Sequence, residues 1–147
     1  MDFYALEGAP VLTPILDFAL TRAQSRLRVE CPVTRACEFR VTRVGTVNEL
    51  LGRARSGRGA AIAMSLDSDA AEALNLLRNR RLVGDVQALF AVGTGMSRDV
   101  EWLMHEAGVD WCFFEGLSSA ADALARWWMR QVLRPTSGGR PAVSVGC

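Results

Sequence analysis

Ser65 is the one break in an apolar run over residues 60–66 and is followed closely by Asp67, Ser68 and Asp69. A hydroxyl and two carboxylates just past a buried strand are materials for nucleophilic attack, for phosphoryl uptake or for gripping a divalent cation. Gly93-Thr94-Gly95 follows a second apolar run, and Glu115 follows a third. The glycine-flanked turn has the composition to offer backbone N–H groups to a phosphate. It is only part of a G-x-G-x-x-G pattern, because Arg98 stands where the third Gly belongs, and a plain tight turn is the ordinary reading. Asp67, Asp69 and Glu115 should converge at one edge of a sheet, as a ligand or metal edge or simply as solvated capping carboxylates.

The groups that would activate this edge are missing. All 17 basic residues are Arg, so no lysine amine is available. The single His, His105, falls mid-helix beyond the Gly93 turn, leaving Ser65 without a base. Cys31, Cys37, Cys112 and Cys147 form no C-x-x-C pair, and a structural zinc is not expected. Neither catalysis, a cofactor nor a bound metal is expected. A small-molecule or nucleotide site at the edge formed by Ser65, Asp67, Gly93, Thr94 and Glu115 is the alternative to a pure contact module.

The 147 residues suit one domain with a core of its own. A formal net charge of +1 gives no electrostatic footprint for nucleic acid. No run reaches the ~18 apolar residues of a membrane span, and Met1-Asp2-Phe3 does not open a secretory leader. The expected setting is cytoplasmic.

Behind the chemistry lie the elements that must position it. Helix and strand signals alternate from about residue 13 to 133. Thr13-Pro14 opens a helix to about Arg26. Residues 27–37 read as a loop or a short irregular strand. Strands are expected over 39–44, 60–66, 86–92 and 109–114, with a short first strand over 3–6. Thr46 and Glu49 have the spacing of a capping box. Asp67, Ser68 and Asp69 should cap the next helix, with Glu72 reaching back. Ser97 caps a helix whose apolar stripe is Val100, Leu103, Met104 and Ala107, ended by Gly108. The last helix runs over about 119–133, and Pro135 stops it. The expected domain spans 1–134, followed by a flexible tail over 135–147. This alternation implies an α/β fold: a three-layer, flavodoxin-like sandwich with a mostly parallel sheet of about five strands and helices on both faces.

Residues 39–132 resemble the CheY-like receiver domain of bacterial response regulators. The resemblance is carried by the buried strand Ala61-Ile62-Ala63-Met64 leading to Ser65, by Leu74, Leu76 and Leu77 in the following helix, and by Glu106-Ala107-Gly108-Val109-Asp110 before the last strand. It implies that Ser65 occupies the phospho-acceptor position. The switch hydroxyl position falls at Gly93 with Thr94 beside it, the aromatic switch position at Cys112, and the lysine position at Glu115. Only Glu7 lies near the acidic pair expected after the first strand. With these departures, the resemblance implies a pseudo-receiver: the fold is kept and the phosphoryl chemistry is gone.

What remains is a surface. Trp127 is rotated by about a hundred degrees from the core position Trp128. Trp102 is off the stripe of its own helix, and Trp111 opens the last strand. Large aromatics away from a buried face point to a partner contact, the alternative being that the rings pack under the tail or against the sheet. The expected role is a phosphorylation-independent signalling or regulatory contact module. The receiver resemblance implies that it binds a protein partner or forms a homodimer through the last two helices and the last strand. The arginines near 53–58 and 78–81 read as solvated helix ends, with an acidic partner as the alternative.

Overall fold

The computed structural model describes residues 1–30, 39–54, 60–83, 86–114 and 117–133, with backbone alone at 117–119. Five strands form one sheet: β1 (Asp2–Leu6), β2 (Arg40–Val44), β3 (Ala60–Ser65), β4 (Val86–Val92) and β5 (Trp111–Phe113). All are parallel, in the order β2-β1-β3-β4-β5. The helices are α1 (Leu12–Glu30), α2 (Val47–Ala54), α3 (Ala70–Arg78), α4 (Arg98–Glu106) and α5 (Leu117–Leu133), with a 3-10 turn at Arg80–Leu82. The expected α/β sandwich with five strands is the architecture found. Strand order reverses between β1 and β3, which opens a crevice at the C-terminal edge of the sheet. The tail, Cys31, Cys37, Cys147 and the 55–59 turn lie outside the described residues.

The two faces of the sheet are packed differently. On the α1/α5 side the strands present Ala5, Ala61, Ala63 and Ala88 beside Phe3, Phe90 and Val92. On the other side they present Tyr4, Leu6, Ile62, Met64 and Leu89. Small side chains let helices approach closely, and the volume left over is filled by the Trp127 and Trp128 indoles. Every residue of β3 is buried, Ser65 included, as its nearly continuous apolar run leads one to expect.

Trp127, expected to face a partner, is 6% exposed. Its ring meets Phe3 and Phe90 edge-on, at centroid distances of 5.5 and 5.2 Å. Trp128 meets Phe3 and Phe39. Because α5 packs on the sheet and on α1 at once, its buried arc is wide enough to take both adjacent positions. A single-stripe reading of the helix misses this.

Helix α4 departs in the opposite sense, for it has no fully buried residue. Leu103 is 56% exposed and Ala107 is exposed, although both were expected on the core stripe; Val100 and Met104 are half-buried. The helix lies over the edge of the sheet, where β5 is only three residues long, and has little surface to cover.

Several caps also differ from expectation. Ser97 does cap α4, accepting from the Val100 amide. Thr46 accepts from the Glu49 amide, and Glu49 reaches back to the Gly45 amide. Asp69 sits at the cap position of α3 without a side-chain cap bond, and Glu72 instead accepts from the Val47 amide at the start of α2. α1 begins at Leu12, ahead of Thr13, for a reason that lies in the crevice.

Candidate functional site: the C-terminal edge of the sheet

Glu7 directly follows β1 and is fully buried. Its Oε2 accepts from the amides of Val11 (2.9 Å) and Leu12 (2.5 Å), and its Oε1 from the amide (2.8 Å) and hydroxyl (2.7 Å) of Thr13. A helix leaves its first N–H groups unpaired and carries a positive dipole end there, so a buried carboxylate is held by both effects. Glu7 is therefore the cap of α1, and the Thr13 hydroxyl donates to it instead of capping. Four donors surround the two oxygens, and the carboxylate faces the backbone of its own chain.

Asp69 and Asp67 are engaged in the same manner. Asp69 Oδ2 accepts from the Gly8 amide at 2.5 Å, and Arg43 donates to the Gly8 carbonyl at 2.9 Å. Asp67 takes Thr94 with both oxygens: Oδ1 accepts from the amide at 3.0 Å and Oδ2 from the hydroxyl at 3.1 Å. The edge thus gathers Asp67, Asp69, Ser65 and Thr94 around the switch point, with Glu7 beside them. It uses the acids as ties between loops. Among the described residues no group of three or more His, Cys, Asp or Glu is placed to hold a metal ion. Glu115 lies outside the described residues.

Ser65 is 6% exposed. Its Oγ accepts from the Ser68 hydroxyl at 2.7 Å and from the Ser68 amide at 3.3 Å. The His105 ring bonds the Val109 carbonyl through Nδ1 at 2.8 Å, just before β5 begins, and so sits at the opposite edge of the sheet. A hydroxyl that lacks a neighbouring base is a poor nucleophile.

The glycine turn holds no open anion cradle. Gly93 N–H donates to the Phe113 carbonyl (2.9 Å), Thr94 N–H to Asp67 and Gly95 N–H to the Phe114 carbonyl (3.3 Å). The three amides that would meet a phosphate already have acceptors, so the phosphate reading of this turn does not hold. A side chain at Gly93 would fit only tightly. A Cβ there would lie 3.2 Å from Met96 Cε, 3.3 Å from Leu66 Cβ and 3.4 Å from Asp67 Oδ1.

Cys112 lies in β5, half-buried at a groove shared with Met96, Arg98, Glu101, Phe114 and Arg126. Burial first, and then the nearby Glu101 carboxylate, push its thiol from 9.0 up to about 11. Outward from this groove, Trp102 is 62% exposed and Trp111 37%. The residues that sequence reasoning undervalued are Glu7, whose only signal was an acid directly after a buried strand, and Leu103, which joins Trp102 on the open side of α4.

A doubly wound parallel sheet in this strand order, with acids at its C-terminal edge, defines a CheY-like α/β sandwich. A solved response regulator receiver domain from Rhodospirillum rubrum has this fold: TM-score 0.58 over 88% of this chain and 92% of that chain, at 11% identity. A putative CpaE2 pilus assembly protein from Sinorhizobium meliloti 1021 aligns over 85% of this chain and 99% of that chain, at 14% identity and TM-score 0.46. No protein-family model and no curated protein matches the chain. The fold is that of a receiver domain. Among the described residues no helix is long and apolar enough to cross a membrane.

Proposed function

We propose that this chain is a pseudo-receiver: a signalling or regulatory module, resident in the cytoplasm, that acts by protein–protein contact without phosphoryl transfer. The observation that carries this reading is the state of three carboxylates described at this edge. Glu7, Asp67 and Asp69 each accept hydrogen bonds from the chain's own backbone, around a serine where a receiver has its acceptor. Aspartyl phosphorylation needs a carboxylate nucleophile, a cation held by free carboxylates, and a positive group on the phosphoryl oxygens.

The contact surface is the face made by α4, β5 and α5. Trp102, Leu103 and Trp111 stand exposed there, and large aromatics are the side chains most often central to interfaces. The occupant is a second copy of the chain. α4 carries Asp99, Glu101 and Glu106 against one arginine, Arg98, whereas α5 carries Arg126 and Arg130 against one acid, Asp122, so a two-fold pair can set the acidic excess of α4 against the basic excess of α5 in both directions.

Sedimentation velocity at micromolar concentration tests the contact. The expected result is a dimer that Trp102→Ala weakens while the melting transition stays cooperative. A chain that is monomeric at all concentrations, or a Trp102→Ala variant that pairs like the parent, overturns the self-association. Incubation with a small acyl-phosphate donor and Mg²⁺ tests the other half. The intact mass is expected to stay unchanged, and a phosphoryl adduct would refute the loss of phosphoryl chemistry.

A further inference from the structure

We infer that the Asp67 carboxylate is a built-in latch, which grips Thr94 and so holds the β4–α4 loop, and with it the α4–β5 face, in one arrangement. This rests on the proposed use of that face as a contact surface, and gives that surface its internal control.

The grip is two-pronged. Both oxygens of Asp67 bind the same residue, one through its backbone and one through its side chain. Such a pair fixes position and rotation together, which a single bond does not. The loop also lies close against the β3–α3 loop, where a Cβ at Gly93 would fit only tightly between Leu66, Asp67 and Met96. On its far side the same loop is bonded to β5, through Gly93 N–H to Phe113 and Gly95 N–H to Phe114. The segment therefore bridges the end of β3 to the end of β5, and α4 starts from it after the Ser97 cap.

Helix α4 depends on its ends more than the other helices do. It has no fully buried residue, so packing contributes little to its placement. Its C-terminal end is tied by Arg80 to the Gly108 carbonyl and by His105 to the Val109 carbonyl. Its N-terminal end is tied through the 93–97 loop to Asp67. With the carboxylate in place, the helix bearing Trp102 and Leu103 has one position. Without it, the loop keeps its two backbone bonds to the β5 edge but loses its tie to the end of β3, and the helix can shift with that edge about its C-terminal ties. The acid needed to fix the loop is part of the chain, and no covalent signal is required to set it.

Hydrogen–deuterium exchange of the full chain tests this, read together with the dimer dissociation constant of the same samples. In Asp67→Ala the amides of 93–106 are expected to exchange about tenfold faster, as befits losing two exposed hydrogen bonds to a charged acceptor. Amides of α1 and α5 should stay at parent rates, and the dimer constant should rise by a similar factor. Thr94→Val, which keeps the amide bond and loses the hydroxyl one, should show a smaller effect of the same kind. Thr94→Ser, which keeps both donors, should behave like the parent. Unchanged exchange at 93–106 in Asp67→Ala overturns the latch, as does a loss of protection spread equally over α1 and α5. Faster exchange with an unchanged dimer constant overturns its coupling to the face. A parent that never pairs counts against the proposed contact surface alone, and the exchange pattern still decides the latch.

Discussion

Replacing Glu7 by Gln keeps the shape of the most buried polar side chain among the described residues and removes its charge. The oxygens now accept from three amides and one hydroxyl. In the variant, the remaining oxygen can serve one pair of donors, and the new NH₂ group must face the other pair. The better orientation turns the NH₂ toward Thr13, whose hydroxyl can rotate to accept, and this leaves the Thr13 N–H without a partner. An orphaned buried N–H costs about 1–3 kcal/mol. The remaining bonds lose their charge assistance, and the start of α1 loses a favourable charge–dipole interaction of about 0.3–2 kcal/mol. Relief of carboxylate desolvation works the other way, but four donors have already offset most of that penalty. The net loss is about 3 kcal/mol, against a total stability of about 5–15 kcal/mol for a domain. Urea denaturation followed by circular dichroism reads this directly. With a slope of about 2 kcal/mol per molar, the midpoint should fall by about 1.5 M at constant slope. A fall of less than about 0.5 M would mean that Glu7 does not carry the start of α1, and the account of that cap would be wrong.

Trp127→Ala should cost about 3–5 kcal/mol by opening a cavity between Phe3 and Phe90, whereas Trp102→Ala should stay within about 0.5 kcal/mol of the parent; thermal melts of the two variants side by side check the contrast. Cys112 should alkylate about a hundredfold more slowly at pH 8 than a thiol at its ordinary value, and the rate should climb until pH passes about 11, as followed by mass spectrometry of its peptide. The sign for stability follows, since the fold disfavours the thiolate: the Cys112 contribution is intact below pH 9.0 and is lost as pH rises through about 11. Gly108 has φ +90° and its missing Cβ would meet the Arg80 guanidinium, so Gly108→Ala should lower the urea midpoint by the equivalent of about 1–2 kcal/mol or more.

The order of elements was legible because each has a strong local signature. The apolar run at 60–64 suits a strand buried on both faces, and Ser97 and Gly108 mark the two ends of α4 by the chemistry of helix caps. Boundaries moved by a few residues where a tertiary partner decided them. α1 begins before Thr13 because Glu7, four to six residues upstream of the amides it binds, supplies the cap, and no local pattern announces that. The site was legible in composition and not in use. Ser65, Asp67, Asp69 and Thr94 do meet at one edge, but which donor each acid takes depends on loops far apart in sequence, such as Gly8 for Asp69. Trp127 and Leu103 were misplaced for one reason. Helical periodicity gives the direction of a stripe but not its width, which is set by how much structure lies beneath the helix.

The division of the four indoles between two environments makes the chain its own optical probe. Trp127 and Trp128 are sealed between α5, α1 and the sheet, while Trp102 and Trp111 face water at the α4–β5 side. An aqueous quencher such as acrylamide should extinguish the emission of the second pair and spare the first. A molecule that covers the α4 side would shield the quenchable fraction and leave the protected one untouched. Opening of the core would do the reverse, making the protected light accessible. One unlabelled sample can therefore distinguish docking from unfolding by which part of its fluorescence changes.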